Sequence, residues 1–219
     1  MTVHGIEMLN IAAGALLLTA VLVLWRREIT MIVRIFALQG VALAALVAVL
    51  AWDEGSAELA VVAAGLLVLR GVVLPWLLRR ALTGAAPGQR ESRPALNVAA
   101  SLLAAAALTL LALAVSAPLV ALSPAPATRA IPIAIAVVLI GFLVLVTRRH
   151  AVSQLVGFLL MDNGITAAGF LSSAGIGLLV EVGVALDLLL VVLVLQVLTG
   201  RMRETFGDTD LDELRELHD

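Results

Sequence analysis

AVSQLVGFLLMDNGITAAGFLS, residues 151–172, decides the fold. RRH (148–150) closes it on one side and the SSAGIG turn (172–177) on the other. Between them the chain is almost wholly apolar, and as a helix it has the roughly 20 residues that cross about 30 Å of hydrocarbon. Asp162 and Asn163 stand side by side in its middle, with no basic residue nearer than Arg149. The run therefore reads as a membrane span, and a carboxylate at that depth marks it as more than a lipid contact.

The rest of the chain repeats the pattern. Of its 219 residues 62% are hydrophobic, and the mean hydropathy is +1.12. A soluble domain of this length is nearer half apolar and keeps polar faces on its helices. Seven segments are long and apolar enough to span: 6–25, 29–52, 58–78, 95–117, 130–147, 151–172 and 176–199. The breaks between them are polar or helix-breaking: RRE, DEGSAE, LTGAAPGQRESRP, SPAPATR, RRH and SSAGIG. Pro132 suits the first turn of the fifth span. The first run is not read as a cleaved signal peptide, because MTVHGIE has no basic residue and the run is closed by Arg26 and Arg27. The expectation is an all-α, polytopic membrane protein of about seven transmembrane helices.

All 14 basic residues are Arg, and their placement sets an orientation. Arg26, Arg27, Arg79, Arg80, Arg90, Arg93, Arg148, Arg149, Arg201 and Arg203 fall in alternate loops or in the C-terminal tail. The opposite side holds Asp53, Glu54 and Glu58, with Arg129 as its basic residue. The excess of Arg in cytoplasmic loops then puts the N-terminus outside and the C-terminus in the cytoplasm, which requires an odd number of spans. The tail RMRETFGDTDLDELRELHD leaves the membrane. Asp210 can cap a short helix bearing Leu211, Leu214 and Leu217 on one side, so the tail is either a docking helix or a solvated, frayed end.

Composition also excludes chemistry. There is no Cys, and so no disulfide, thiolate metal site or protein-held iron–sulfur cluster. His4, His150 and His218 lie at a terminus or beside a loop, and no pair has helical spacing within a span. No catalytic, cofactor-binding or metal site of the chain's own is expected.

The ionisable groups inside the spans carry the functional reading. Arg34 lies near the cytoplasmic end of the second span and can snorkel to the headgroups. Arg70 lies about 13 Å from the inner surface, and its side chain tilts the wrong way for a cytoplasmic snorkel, so it needs a buried carboxylate, a wet cavity or a lipid phosphate. Asp162 lies roughly 18–20 Å from the inner surface and Asp187 roughly 16 Å from the outer one. Both sit near mid-membrane on consecutive antiparallel helices, with Glu181 nearer the outside on the last helix. Asn163, Gln154 and Thr166 are expected to support them with hydrogen bonds or bridging waters. Gly164, Gly169, Gly175, Gly177, Gly183, Ala167 and Ala168 allow close approach of the two helices. A desolvated carboxylate can exchange a proton near neutral pH, as a relay must. The alternative is that each carboxyl stays neutral and merely ties two helices together.

LLMDNGITAAGF, GLLVEVGVALDLLLVVLVLQVL and the tail RMRETFGDTDLDELREL resemble the hydrogenase-4 component E family. That family usually has Glu-Asn-Gly-Ile at the first motif and a Val-Glu-Leu-Gly-like stretch followed by Asp on the next helix. The resemblance covers roughly 145–217. The same part is similar to the complex I K subunit and to the C subunit of multisubunit cation/proton antiporters, which also begin this helix after two Arg, here Arg148 and Arg149. The resemblance implies membrane carboxylates on a proton path. Asp187 matches the second of the complex I subunit's two glutamates. The first falls where this chain has Leu159, so Asp162 is a shifted equivalent on the same face. Asp162 in place of the family's Glu and the short SSAGIG loop are departures from the pattern.

The resemblance divides the chain into a four-helix part (1–127), a three-helix K-subunit-like part (128–200) and a cytoplasmic tail (201–219). It implies a non-catalytic membrane subunit of a complex I-like, energy-converting (group 4) hydrogenase or related oxidoreductase complex, in a bacterial or archaeal cell membrane. Asp162, Asp187 and Glu181 would contribute to proton or sodium translocation. Partners would be antiporter-like and quinone-site-like membrane subunits and lipid, and not nucleic acid. The competing readings are a non-conducting scaffold subunit and a free-standing small transporter. The latter would show matching broken helices in its two halves. Pro75 and the Gly-rich stretch near residue 175 do not form such a pair.

Overall fold

The computed structural model describes residues 1–81, 96–122, 125–172 and 192. They are helical almost throughout. α1 is Val3–Trp25, α2 Ile29–Glu54 and α3 Ala57–Val68. A π turn, Leu69–Val73, continues α3 into α4, Leu74–Ala81. α5 is Val98–Leu122. A 3₁₀ turn, Pro126–Ala130, leads into α6, Ile131–Thr147, and α7 is Ala151–Ser172. α3, the π turn and α4 form one span, so 6 spans lie among the described residues. The seventh expected span, 176–199, lies outside them apart from Val192, which is buried in the core.

Each helix starts and stops for a local reason. Thr2 Oγ1 accepts from Gly5 N, Ser56 Oγ from Leu59 N and Asn97 Oδ1 from Ala100 N. These side chains satisfy N–H groups that have no partner inside the helix. Gly55 ends α2 with φ of 61°, the left-handed conformation that glycine adopts without strain. Helix ends run past the hydropathic boundaries in places. α5, expected to stop near 117, continues to Leu122 with Pro118 inside it, and α4 carries Arg79 and Arg80 as helical residues.

Charge and aromatic side chains sort to the two ends of the bundle. The N-terminal ammonium pairs with Asp53 Oδ2 at 3.2 Å, which joins the start of α1 to the end of α2. At the other end Arg148 Nη2 donates to the carbonyls of Val23, Leu24 and Arg26 at 2.9, 3.0 and 2.9 Å, which joins the end of α6 to the end of α1. There the Arg26 guanidinium lies over the Trp25 ring at 5.0 Å, and Arg80 lies over Trp76 at 5.5 Å. Trp52 stands exposed near the acidic end. Amphipathic indoles favour membrane–water interfaces, so these three rings mark the two edges of the hydrocarbon.

α1 and α2 pack together, α2 also packs on α3 and α7, and α6 packs on α5, α1 and most closely on α7. The α6–α7 seam is built from backbone rather than side chains. A Cβ at Gly141 would run into Met161 N, one at Gly157 would lie 2.6 Å from Leu145 N, and one at Gly164 would lie 2.7 Å from Val138 N. Small residues let helices pack tightly where burial from water supplies no drive. Gly164, expected at the seam with the last helix, packs against α6.

Candidate functional site

Arg70 is the largest fully buried side chain among the described residues, 1% exposed. Its helix is not regular at that point. Leu74 N–H donates to Leu69 O, five residues back, and Pro75 follows. Proline has no N–H, and its ring would press on the carbonyl four residues earlier in a regular helix. The widened turn relieves that contact and carries Arg70. α2 lies directly against the same turn. A Cβ at Gly40 would be 2.5 Å from Arg70 C and O and 2.8 Å from Gly71 N, so only glycine allows this approach.

The turn aims Arg70 at α7. Nη1 meets Asp162 Oδ2 at 2.6 Å and also donates to Asn163 Oδ1. Nη2 donates to Thr166 Oγ1 at 3.3 Å. Asp162 and Thr166 are one turn apart on α7 and so share a face. Asn163 in turn donates through Nδ2 to Gln39 Oε1 on α2 at 3.0 Å. Gln39, Arg70 and Asn163 are each 1% exposed, and Asp162 is 9% exposed. The result is a polar bridge across α2, the π turn and α7, lateral to the helix axes. An isolated charge in such surroundings is prohibitively costly; a paired and hydrogen-bonded one is tolerable.

The structure thus brings Arg70, Asp162, Asn163 and Thr166 into one cluster. Gln154 is not part of it. Its Nε2 donates to Arg148 O at 2.9 Å, about two turns from Asp162, so it braces the α6–α7 corner instead. Arg34 is exposed on α2. Asp187 and Glu181 lie outside the described residues. Among those described, no group of three or more His, Asp or Glu gathers as a metal site.

Two participants are missed by hydropathy. Gln39 sits within an apolar run, and its signal is that an amide in mid-span needs a partner. Arg148 reads as a topology charge, yet it is 4% exposed and caps the carbonyl end of α1. Those carbonyls have no acceptor role inside their own helix, and a cation is favoured at a helix C-terminus. Arg148→Met should destabilise the detergent-purified protein by about 2–3 kcal/mol, with Arg148→Lys recovering part of it. Thermal unfolding measures both.

One protein similar to this chain over nearly its full length is "Uncharacterized protein Rv0085" of Mycobacterium tuberculosis, 50% identical over 212 residues, which cover 97% of this chain and 96% of that one. The chain belongs to the family of that protein. Hydrogenase-4 component E of Escherichia coli is 25% identical over 213 residues, covering 97% of this chain and 98% of the component. The Shigella flexneri component has the same figures. This likeness extends beyond residues 145–217, where the motif resemblance lies, into the first spans. No family model matches the chain. No solved structure matches it. The chain is thus a multi-spanning helical protein with a distant hydrogenase-4 relative, and the Arg70–Asp162 bridge is a buried ion pair among its described residues.

Proposed function

We propose that the chain is a membrane subunit of a complex I-like, energy-converting hydrogenase or related oxidoreductase complex, and that its intramembrane carboxylates take part in moving protons or sodium ions. The observation that carries this reading is the buried Arg70–Asp162 pair in a mid-span position. Intramembrane ion pairs are costly and recur on ion pathways. The likeness to a hydrogenase-4 component supports membership in a multisubunit assembly. Asp162 alternates between its hold on Arg70 and a protonated, released state, and Asp187 and Glu181 continue the path on the last helix. Redox chemistry belongs to other chains, and the partners are antiporter-like and quinone-site-like membrane subunits. The N-terminus lies outside and the Arg-rich end in the cytoplasm of a bacterial or archaeal cell. Residues 1–127, 128–200 and 201–219 act as an N-terminal membrane part, a K-subunit-like part and a tail.

The second reading, a non-conducting scaffold, is favoured by the same bridge seen as a clamp between the π turn and α7. The two separate on the complex that co-purifies with the tagged chain, reconstituted in liposomes and read by a pH dye or radiolabelled sodium during turnover. Asp162→Asn should reduce ion uptake per assembled complex to background, while Asp162→Glu retains most of it. Uptake by Asp162→Asn equal to wild type, per assembled complex, leaves the scaffold. Co-purification of no other chain, with transport by the chain alone, overturns the subunit reading.

A further inference from the structure

An Arg side chain can only donate hydrogen bonds, whereas Asn and Gln amides each carry one acceptor oxygen and one donor nitrogen. That asymmetry fixes the polarity of the bridge from one end. Arg70 Nη1 must face Asn163 Oδ1, which turns Asn163 Nδ2 away from the guanidinium and toward α2. There it meets Gln39 Oε1 at 3.0 Å. A flip of the Asn163 amide would set N–H against N–H at Arg70 and lose the acceptor that Nη1 now shares with Asp162.

With the ion-path reading above as its basis, we infer that Gln39 is a positioning residue: by accepting from Asn163 it sets how Arg70 is divided between Asn163 and Asp162. Hydrogen bonds in a chain polarise one another in a low-dielectric interior, so the bond to Gln39 makes Asn163 Oδ1 a stronger acceptor for the guanidinium. A stronger Asn163 draws Arg70 from Asp162 and eases the carboxylate's release. Without Gln39 the Asn163 amide is free to turn, and Arg70 Nη1 shifts from Asn163 to Asp162. Gln39 does not touch the reacting carboxylate; it acts through Asn163. Its place is fixed by packing, because the neighbouring Gly40 holds α2 against the turn that bears Arg70.

The test uses the co-purified complex in liposomes and reads ion uptake per assembled complex. Gln39→Met keeps the length and removes the acceptor; Gln39→Glu keeps an acceptor oxygen at the same reach. Gln39→Met should lower uptake about five- to tenfold, the shift one lost buried hydrogen bond gives, and Gln39→Glu should stay within about twofold of wild type. In an Asn163→Leu background Gln39→Met should add less than about twofold, because coupled residues are not additive. Should Gln39→Met fail to assemble, Gln39→Asn, which withdraws the amide by one methylene, carries the same comparison. The positioning role is overturned if uptake is unchanged in the acceptor-less variant, if Gln39→Glu is as impaired as Gln39→Met, or if the Gln39 and Asn163 losses multiply. Asp162→Asn run alongside separates the two levels: uptake unaffected there removes the ion path itself, whereas loss there with an intact Gln39→Met removes only Gln39.

Discussion

Removing either member of the Arg70–Asp162 pair alone should cost about 3–5 kcal/mol of stability, and removing both together should recover most of that cost. Arg70 is 1% exposed and Asp162 is 9% exposed, so neither charge has water to fall back on. Asp162→Leu takes the carboxylate from a buried guanidinium and leaves it the neutral acceptors Asn163 and Thr166, and a guanidinium cannot shed its proton. Arg70→Met leaves a carboxyl, which can neutralise itself by taking a proton. The Asp162 variant should therefore be the less stable of the two single variants. Arg70→Met combined with Asp162→Leu removes both charges of the pair, and well-packed apolar replacements of buried ion pairs are often neutral in stability. Thermal unfolding of the detergent-purified protein gives the three values, and ion uptake gives the functional counterpart. A double variant as unstable as Asp162→Leu would mean that the polar partners Asn163 and Thr166, rather than the charge pair, hold α7 to the π turn. A double variant that is stable and silent in uptake would separate the pair's chemistry from its clamping.

The six described spans were open to reading in the sequence because length and hydropathy largely determine what can cross hydrocarbon. RRE, DEGSAE and RRH divide the chain at nearly the observed helix ends. Asp162 was legible for the same reason, since a carboxylate in an apolar run is costly and needs a buried partner or a proton. Its partner was only half legible. Depth and side-chain tilt leave Arg70 a buried carboxylate, a wet cavity or a lipid phosphate, and they do not choose among them. The choice is made by the π turn, and a π turn is one extra residue in a helix that periodicity does not register. Pro75 points to irregularity there without giving its form. Gln39 is hidden because one amide does not disturb the hydropathy of ITMIVRIFALQGVAL. Gln154 is misplaced by the opposite error. It lies on the helix of Asp162, but the Arg148 carbonyl at the head of α7 is the acceptor it reaches.

Gly141→Ala should be among the most damaging single-methyl additions to the described part of the chain, and Gly14→Ala among the least. Both glycines lie inside membrane helices, where Gly to Ala normally gains about 0.5–1 kcal/mol. At Gly14 nothing lies within 4 Å of the added Cβ, so that gain should appear as a higher unfolding temperature in detergent. At Gly141 the Cβ meets Met161 N, Met161 Cα at 2.8 Å and Gly157 O at 2.9 Å. These are backbone atoms of a neighbouring helix and cannot rotate away, so α6 and α7 must part. Overpacking of this kind typically costs about 1–3 kcal/mol. The displacement falls on Met161, the residue before Asp162, so it also draws the carboxylate from its 2.6 Å contact with Arg70. The loss of ion uptake in Gly141→Ala should therefore exceed what its fall in unfolding temperature alone implies. Gly157→Ala meets the same seam about one turn from Met161, with Leu145 N at 2.6 Å, and should destabilise with a smaller effect on uptake. Equal ratios of uptake loss to stability loss in the two variants would show that the α6–α7 seam acts on assembly alone. A larger ratio for Gly141 would tie the seam's register to the geometry of the charge pair.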